Sequence, residues 1–229
     1  MKKFMMFTVA TIISVGSFGS VMAAAPVTNL ATTPTQAVAT VPGFVPISFE
    51  TEVGWTASGP SFTAELVTDQ GVFDGTKALK FNITSRQTDW GKLNKLNVNP
   101  PEGTVWTIPD GHIMSAMVTN PNDFALQIRW NVSDNKANTR MAYYLIEPGK
   151  TKEIIYDTPR FGEPGVANGS WTGDGFGQKG FDEKNIKYTS FYVAEPEIAK
   201  VMVGAESISY IIDNIVIKPA PVVAPAPAK

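Results

Sequence analysis

Among the 229 residues of this chain, Asp213 stands where a titratable group is hardest to explain. It interrupts the apolar run Ile208-Ser209-Tyr210-Ile211-Ile212-Asp213-Asn214-Ile215-Val216-Ile217. A carboxylate in such a run is costly to bury unless something pairs with it. The rest of the reactive inventory is sparse. Cysteine is absent, which removes thiolate nucleophiles, thiolate metal sites and disulfides. His112 is the one histidine, so a multi-histidine zinc site is excluded. A Ser-His-Asp triad would have to use His112, and no G-x-S-x-G sequence accompanies it. Glu65, Asp69, Asp89, Glu163, Asp174, Asp182, Glu195 and Glu197 are scattered acids, and none forms a close E-x-D-x-E cluster on a strand.

Rings in polar surroundings are the second resource. Trp90 lies in Arg86-Gln87-Thr88-Asp89-Trp90-Gly91. The connection 157–185 carries Gly162, Gly165, Gly169, Gly173, Gly175, Gly177 and Gly180, and between them Trp171, Asp174, Phe176 and Gln178, with Arg160 and Phe161 just ahead. A loop that long without a strand pattern is functional or disordered. Disordered segments are poor in aromatics, so this one reads as a surface loop presenting rings. Trp55 and Trp130 are assigned to the core, and Trp106 stays undecided.

Strands must hold these groups. Helical periodicity is almost absent, and strand-like runs recur at 47–53, 62–69, 77–84, 111–119, 124–133, 139–147, 151–156, 186–195 and 207–217. Asp74-Gly75, Pro121-Asn122-Asp123, Asp134-Asn135 and Pro148-Gly149 punctuate them. Short strands with such turns predict an all-β antiparallel sandwich of about nine to ten strands. In 124–133, Phe124, Leu126, Ile128, Trp130 and Val132 share one face, and Ala125, Gln127, Arg129, Asn131 and Ser133 share the other. In 139–147, Met141, Tyr143 and Leu145 alternate with Arg140, Ala142, Tyr144 and Ile146. The polar face can therefore gather arginine, glutamine and tyrosine, or simply face water. The run 208–217 is apolar on both alternate sets, so both of its faces should be covered, and Pro219 should end it.

The ends differ in kind. Lys2 and Lys3 precede an uncharged apolar stretch to Val21, and Val21-Met22-Ala23 or Met22-Ala23-Ala24 is a small-x-small cleavage pattern. This predicts a signal peptide over 1–24, rather than a membrane anchor, and an exported protein, secreted or periplasmic in a bacterium, with no transmembrane segment after processing. Residues 25–46 read as an Ala/Thr/Pro linker, 47–218 as the folded domain, and 219–229 as a Pro/Ala-rich tail. The formal charge of −2, which becomes −4 without Lys2 and Lys3, argues against nucleic acid as a partner.

Three pieces of the domain resemble jelly-roll carbohydrate-binding modules: Ser48-Phe49-Glu50 with Trp55, Asp74-Gly75-Thr76-Lys77-Ala78-Leu79, and Tyr210-Ile211-Ile212-Asp213-Asn214-Ile215. The middle is similar to the non-catalytic sandwich domain that precedes the barrel of β-agarases. The matching parts there are Val118-Thr119-Asn120-Pro121, Asp134, Leu145-Ile146-Glu147-Pro148-Gly149-Lys150 and Asp182 to Ile186. The resemblance implies a jelly-roll sandwich and a calcium ion tying its ends. Glu50, backbone oxygens near Gly75 and Lys77, and Asp213 would hold that ion, a mixed oxygen set that suits calcium. A hydrogen-bonded Asp213 at the sandwich edge is the alternative.

The expected function is non-catalytic binding of a polysaccharide, galactans included. Sugars offer apolar CH faces and polar edges, so rings stack on them and polar side chains meet their hydroxyls. The assigned residues are Arg86, Asp89, Trp90, Arg160, Trp171 and Phe176. One alternative is a polysaccharide lyase or hydrolase, a lyase using His112, Tyr143, Tyr144 and Arg129 or Arg140. The other is a structural or interaction protein of the envelope.

Overall fold

A computed structural model describes residues 41–51, 54–86, 90–156, 181–194 and 207–221, all within one compact unit, Val38–Lys229. The expected signal peptide and most of the expected tail lie outside the described residues.

Ten strands form two five-stranded antiparallel sheets. They are β1 Trp55–Ser58, β2 Phe62–Val67, β3 Ala78–Ile83, β4 Lys95–Val98, β5 His112–Thr119, β6 Leu126–Asp134, β7 Thr139–Ile146, β8 Thr151–Ile155, β9 Ile186–Tyr192 and β10 Ile208–Pro219. The first sheet has the order β1-β4-β9-β6-β7 and the second β2-β3-β10-β5-β8. This is the all-β sandwich that the strand periodicity predicts. The expected strand at 47–53 is different: Ile47 makes an isolated bridge to Ile215. Two short strands, β1 and β4, occupy sequence in which alternation predicts no strand. Each is four residues long, too short for its alternation to stand out.

The core lies between the sheets. From the first sheet come Leu96, Val98, Leu126, Ile128, Trp130, Val132 and Phe191; from the second come Leu79, Phe81, Ile83, Met114, Ala116, Val118, Tyr210 and Ile212. Trp130 stacks on Phe191 at 4.9 Å, and Phe81 stacks on Tyr210 at 5.1 Å. Trp130 is fully buried, Trp106 nearly so, and Trp55 packs half-buried against the same cluster. The folded unit begins before residue 47. Val41 and Phe44, inside the stretch read as linker, are buried in the core, and Phe44 meets Trp106 edge-on at 5.2 Å. An apolar pair spaced by three residues next to a glycine was enough to pack.

β10 is the central strand of the second sheet, and both its faces are buried. A bulge between Asp213 and Val216 shifts its register on β5, with Asn214 at φ 50°. One extra residue flips every later side chain. Ile215 and Ile217 therefore join the core after Ile212, in place of Asn214 and Val216.

Candidate functional site

Two places gather the groups that chemistry would use. The first surrounds the turn at 73–77. Asp213 faces away from the core cluster, and that turn folds over it. Its Oδ2 accepts the amide N–H of Phe73 at 2.6 Å and of Asp74 at 2.9 Å. Its Oδ1 is buried and has no hydrogen-bond partner among the described residues. Burial pushes the Asp213 pKa up to about 6; the amides of Asp74, Phe73 and Asn214 oppose this, and the charge of Asp74 adds to it. Glu50 reaches the same turn from the N-terminal side. Its Oε1 accepts from the Thr76 and Lys77 amides at 2.7 and 2.9 Å, and its Oε2 accepts from the Thr76 hydroxyl at 2.8 Å. Those bonds, the Thr76 amide first, hold the Glu50 carboxyl below its usual pKa. The Lys77 ammonium donates to the Glu50 carbonyl at 3.2 Å. Gly75 is required: a Cβ there would lie 2.2 Å from Glu50 Oε1, and its φ is +71°. Phe49 and Asn214, the neighbours of the two carboxylates, both have positive φ, which is uncommon outside glycine. Glu50 and Asp213 thus both bond to the turn that contains Gly75 and Lys77. Among the described residues no three His, Cys, Asp or Glu side chains gather as a metal cluster.

The second place is the outer face of the first sheet. Antiparallel pairing puts partners on one face. Lys95, Tyr192, Arg129 and Tyr143 form one row across β4, β9, β6 and β7. Thr56, Asn97, Ser190, Asn131 and Met141 form the next, from β1 to β7. Tyr188 donates to Asn97 Oδ1 at 2.8 Å, and Tyr192 donates to Asn131 Oδ1 at 3.5 Å. Leu93 and Ala194 cover the Tyr192 ring. Burial raises the Tyr192 pKa, against the nearby Arg129 charge and its hydrogen bonding with Asn131 and Arg129. The Lys95 ammonium lies 5.9 Å from the Tyr192 ring centre. The strand positions of this face carry no Asp or Glu.

The other expectations divide as follows. Arg86 is exposed, and Trp90 opens a short 3-10 turn, Trp90–Lys92, its side chain lying outside the described residues. Asp89, Arg160, Trp171 and Phe176 also lie outside them. The lyase set is not assembled. Tyr143 shares the outer face with Arg129, whereas Tyr144 and Arg140 point the other way. Arg140 instead binds Glu183 at 2.7 Å, and Tyr156 donates to the same oxygen at 2.5 Å. His112 starts β5 in the other sheet, its Nδ1 3.1 Å from the Asp110 carbonyl. Asn97, Tyr188 and Tyr192 were not singled out from sequence. The alternation Tyr188, Ser190, Tyr192 against Thr189 and Phe191 was the available signal.

Among solved structures, the chain is similar to an exo-β-agarase with a TM-score of 0.55 at 20% identity, covering 76% of this chain and 25% of that one. An agarase, AgWH50C, matches with a TM-score of 0.50 at 13% identity, covering 77% of this chain and 24% of that one. A family 11 carbohydrate-binding module from Clostridium thermocellum, solved with a mixed-linked tetrasaccharide, gives a TM-score of 0.47 at 18% identity, covering 77% of this chain and 98% of the module. The chain spans about a quarter of the length of the two agarases. The sandwich fold is therefore shared with part of these agarases, as the motifs implied. No family model and no curated protein sequence matches the chain.

Proposed function

We propose that this chain is an exported, non-catalytic binder of polysaccharide, and that the sugar chain lies across the outer face of the first sheet. The observation that carries the reading is the face itself. Tyr143, Tyr188, Arg129, Asn97 and Asn131 come from four strands and are partly exposed, Tyr188 bonds to Asn97, and the buried Tyr192 bonds to Asn131 from beneath. Rings offer apolar surface to sugar CH groups, and amide and guanidinium groups meet hydroxyls. Glycoside hydrolysis uses two carboxylates flanking the bond, and this face has none on its strands. Trp90, Trp171 and Phe176, with Arg86, Asp89 and Arg160, are the residues that the sequence assigns to the same ligand.

The test is affinity electrophoresis in agarose, xylan, mixed-linkage glucan and alginate gels. At least one gel retards the wild type, and Tyr143→Ala and Trp90→Ala each weaken retardation. Losing one such stack, at about 0.5–1.5 kcal/mol, corresponds to roughly two- to tenfold in affinity. No retardation in any gel would sink the proposal.

Calcium at the 73–77 turn is the accompanying proposal. The unpartnered Asp213 Oδ1 and the strained residues beside both carboxylates support it. Glu50 is already engaged by three donors, so an ion there would replace hydrogen bonds rather than fill an empty site. A bound ion would join the first and last segments of the domain and neutralise Asp213. Chelator should lower the melting temperature; an unchanged value argues for a hydrogen-bonded clamp without metal.

A further inference from the structure

Beside the edge strand β1 lies an open cleft of about 640 Å³, within the usual size of a small-ligand site. Its floor and walls include Trp55, Thr56, Asn97, Asn99, Pro100 and Trp106. We infer that this cleft is a subsite for one neutral sugar ring at the end of a glycan chain held on the outer face. The inference rests on the binding reading above and names where that chain ends and what its last ring is.

Three observations carry it. First, cleft and face are continuous. Thr56 and Asn97 are paired positions of the outer face and also line the cleft, and Asn97 is the acceptor for Tyr188. Adjacent strands lie about 4.8 Å apart, so the row from β1 to β7 runs roughly 19 Å, the reach of a short oligosaccharide. Gly43 and residues 45–51 line the cleft as well, and the end of the glycan chain is placed against them.

Second, the polar groups suit hydroxyls. Asn99 uses its Oδ1 on the Thr189 amide at 3.3 Å. Its amide NH2 and the exposed Thr56 hydroxyl have no partner among the described residues. The half-buried Trp55 ring, the Pro100–Pro101 pair and the 78% exposed Val45 supply apolar surface. That combination matches a pyranoside, with an apolar CH face and a polar rim.

Third, the charge is wrong for an acidic sugar. Among the described residues no Lys, Arg or His lines the cleft. Glu50, the carboxylate in its wall, is held by Thr76 and Lys77. A sulfate or uronate would enter without a cation and beside a negative charge, at a desolvation cost that nothing offsets.

The test is calorimetric titration with ladders of neutral agaro-, xylo- and mixed-linkage gluco-oligosaccharides, and with oligouronates. Asn99→Asp keeps the acceptor for Thr189 and removes the donor, so it should melt like wild type. Trp55→Phe keeps most of the packing and removes the larger ring. Wild-type affinity should rise with length up to the oligosaccharide that fills face and cleft. Both variants should lose about five- to tenfold on that longest ligand, one hydrogen bond or stack, and bind the shortest ligands unchanged. Equal affinities of wild type and variants at every length overturn the cleft while leaving the face reading intact. A ladder in which the oligouronates gain most from the cleft overturns its neutrality. Failure of every ligand to bind wild type overturns the face reading and the cleft with it.

Discussion

Asp213 has a folded pKa raised to about 6 from 3.8, first by burial. A raised carboxyl pKa means the native state binds the proton more tightly than the unfolded chain. Its contribution to stability is therefore greatest below about pH 4 and falls as pH rises to about 6. At 1.36 kcal/mol per pKa unit the loss is about 3 kcal/mol at neutral pH. Glu50 acts oppositely. Its lowered pKa contributes stability above the ordinary glutamate range, which is lost in acid. In chelator, the wild type should lose melting temperature between pH 4 and 6, and Asp213→Asn should flatten that fall. Calcium, by pairing with the carboxylate, should flatten it in the wild type as well. Parallel profiles for wild type and variant in chelator would mean Asp213 is not the titrating group.

At the scale of elements, the recognisable motifs turn out to be ties between loops. Asn120, fully buried, donates to the carbonyls of Phe124, Ile146 and Glu147 at 2.7, 2.9 and 3.3 Å. It thereby joins the start of the β5–β6 connection to the end of β7. Asp134 accepts from the amides of Lys136, Asn138 and Asp182, pinning the residues just ahead of β9 to the β6–β7 turn. Glu50 and Asp213 do the same for the 73–77 turn. Removing the Asn120 amide strands buried carbonyls, so Asn120→Ala should cost roughly 2–3 kcal/mol in urea unfolding. A midpoint equal to wild type would show that water or backbone shifts satisfy those carbonyls instead. These ties explain why the fold was legible: each needs one residue type at one place. The outer face has no such demand, since many polar side chains serve there.

For the whole molecule, the boundary of the domain matters most. Val41 and Phe44 belong to the core, and the Ile47–Ile215 bridge fastens the segment to β10. A chain beginning at Ser48 should unfold about 3 kcal/mol or more easier than one beginning at Val38, the usual cost of deleting a buried phenylalanine side chain. Equal denaturation midpoints would return 41–46 to the role of linker. A segment this poor in charge and rich in proline reads as spacer until the partner ring, Trp106, is known to lie 5.2 Å away.

Local alternation was sufficient for the β-rich class, for the inward set Leu126, Ile128, Trp130 and Val132, and for the outward set that includes Arg129 and Asn131. Both depend on the two-residue period of one strand, which neighbouring residues fully specify. Residue order along the chain also pointed, through the resemblance, to the 73–77 turn, to which Glu50 and Asp213 both bond. Strand order and register were settled only in three dimensions. Asn97, Tyr188 and Asn131 meet because β4, β9 and β6 are neighbours, with about ninety residues between Asn97 and Tyr188 along the chain. Pairing over such separations is decided by burial of whole sheets rather than by local preference. The bulge at Asn214 makes the same point within one strand: a single extra residue put Ile215 and Ile217 inward and left Asp213 under the turn, where its chemistry begins.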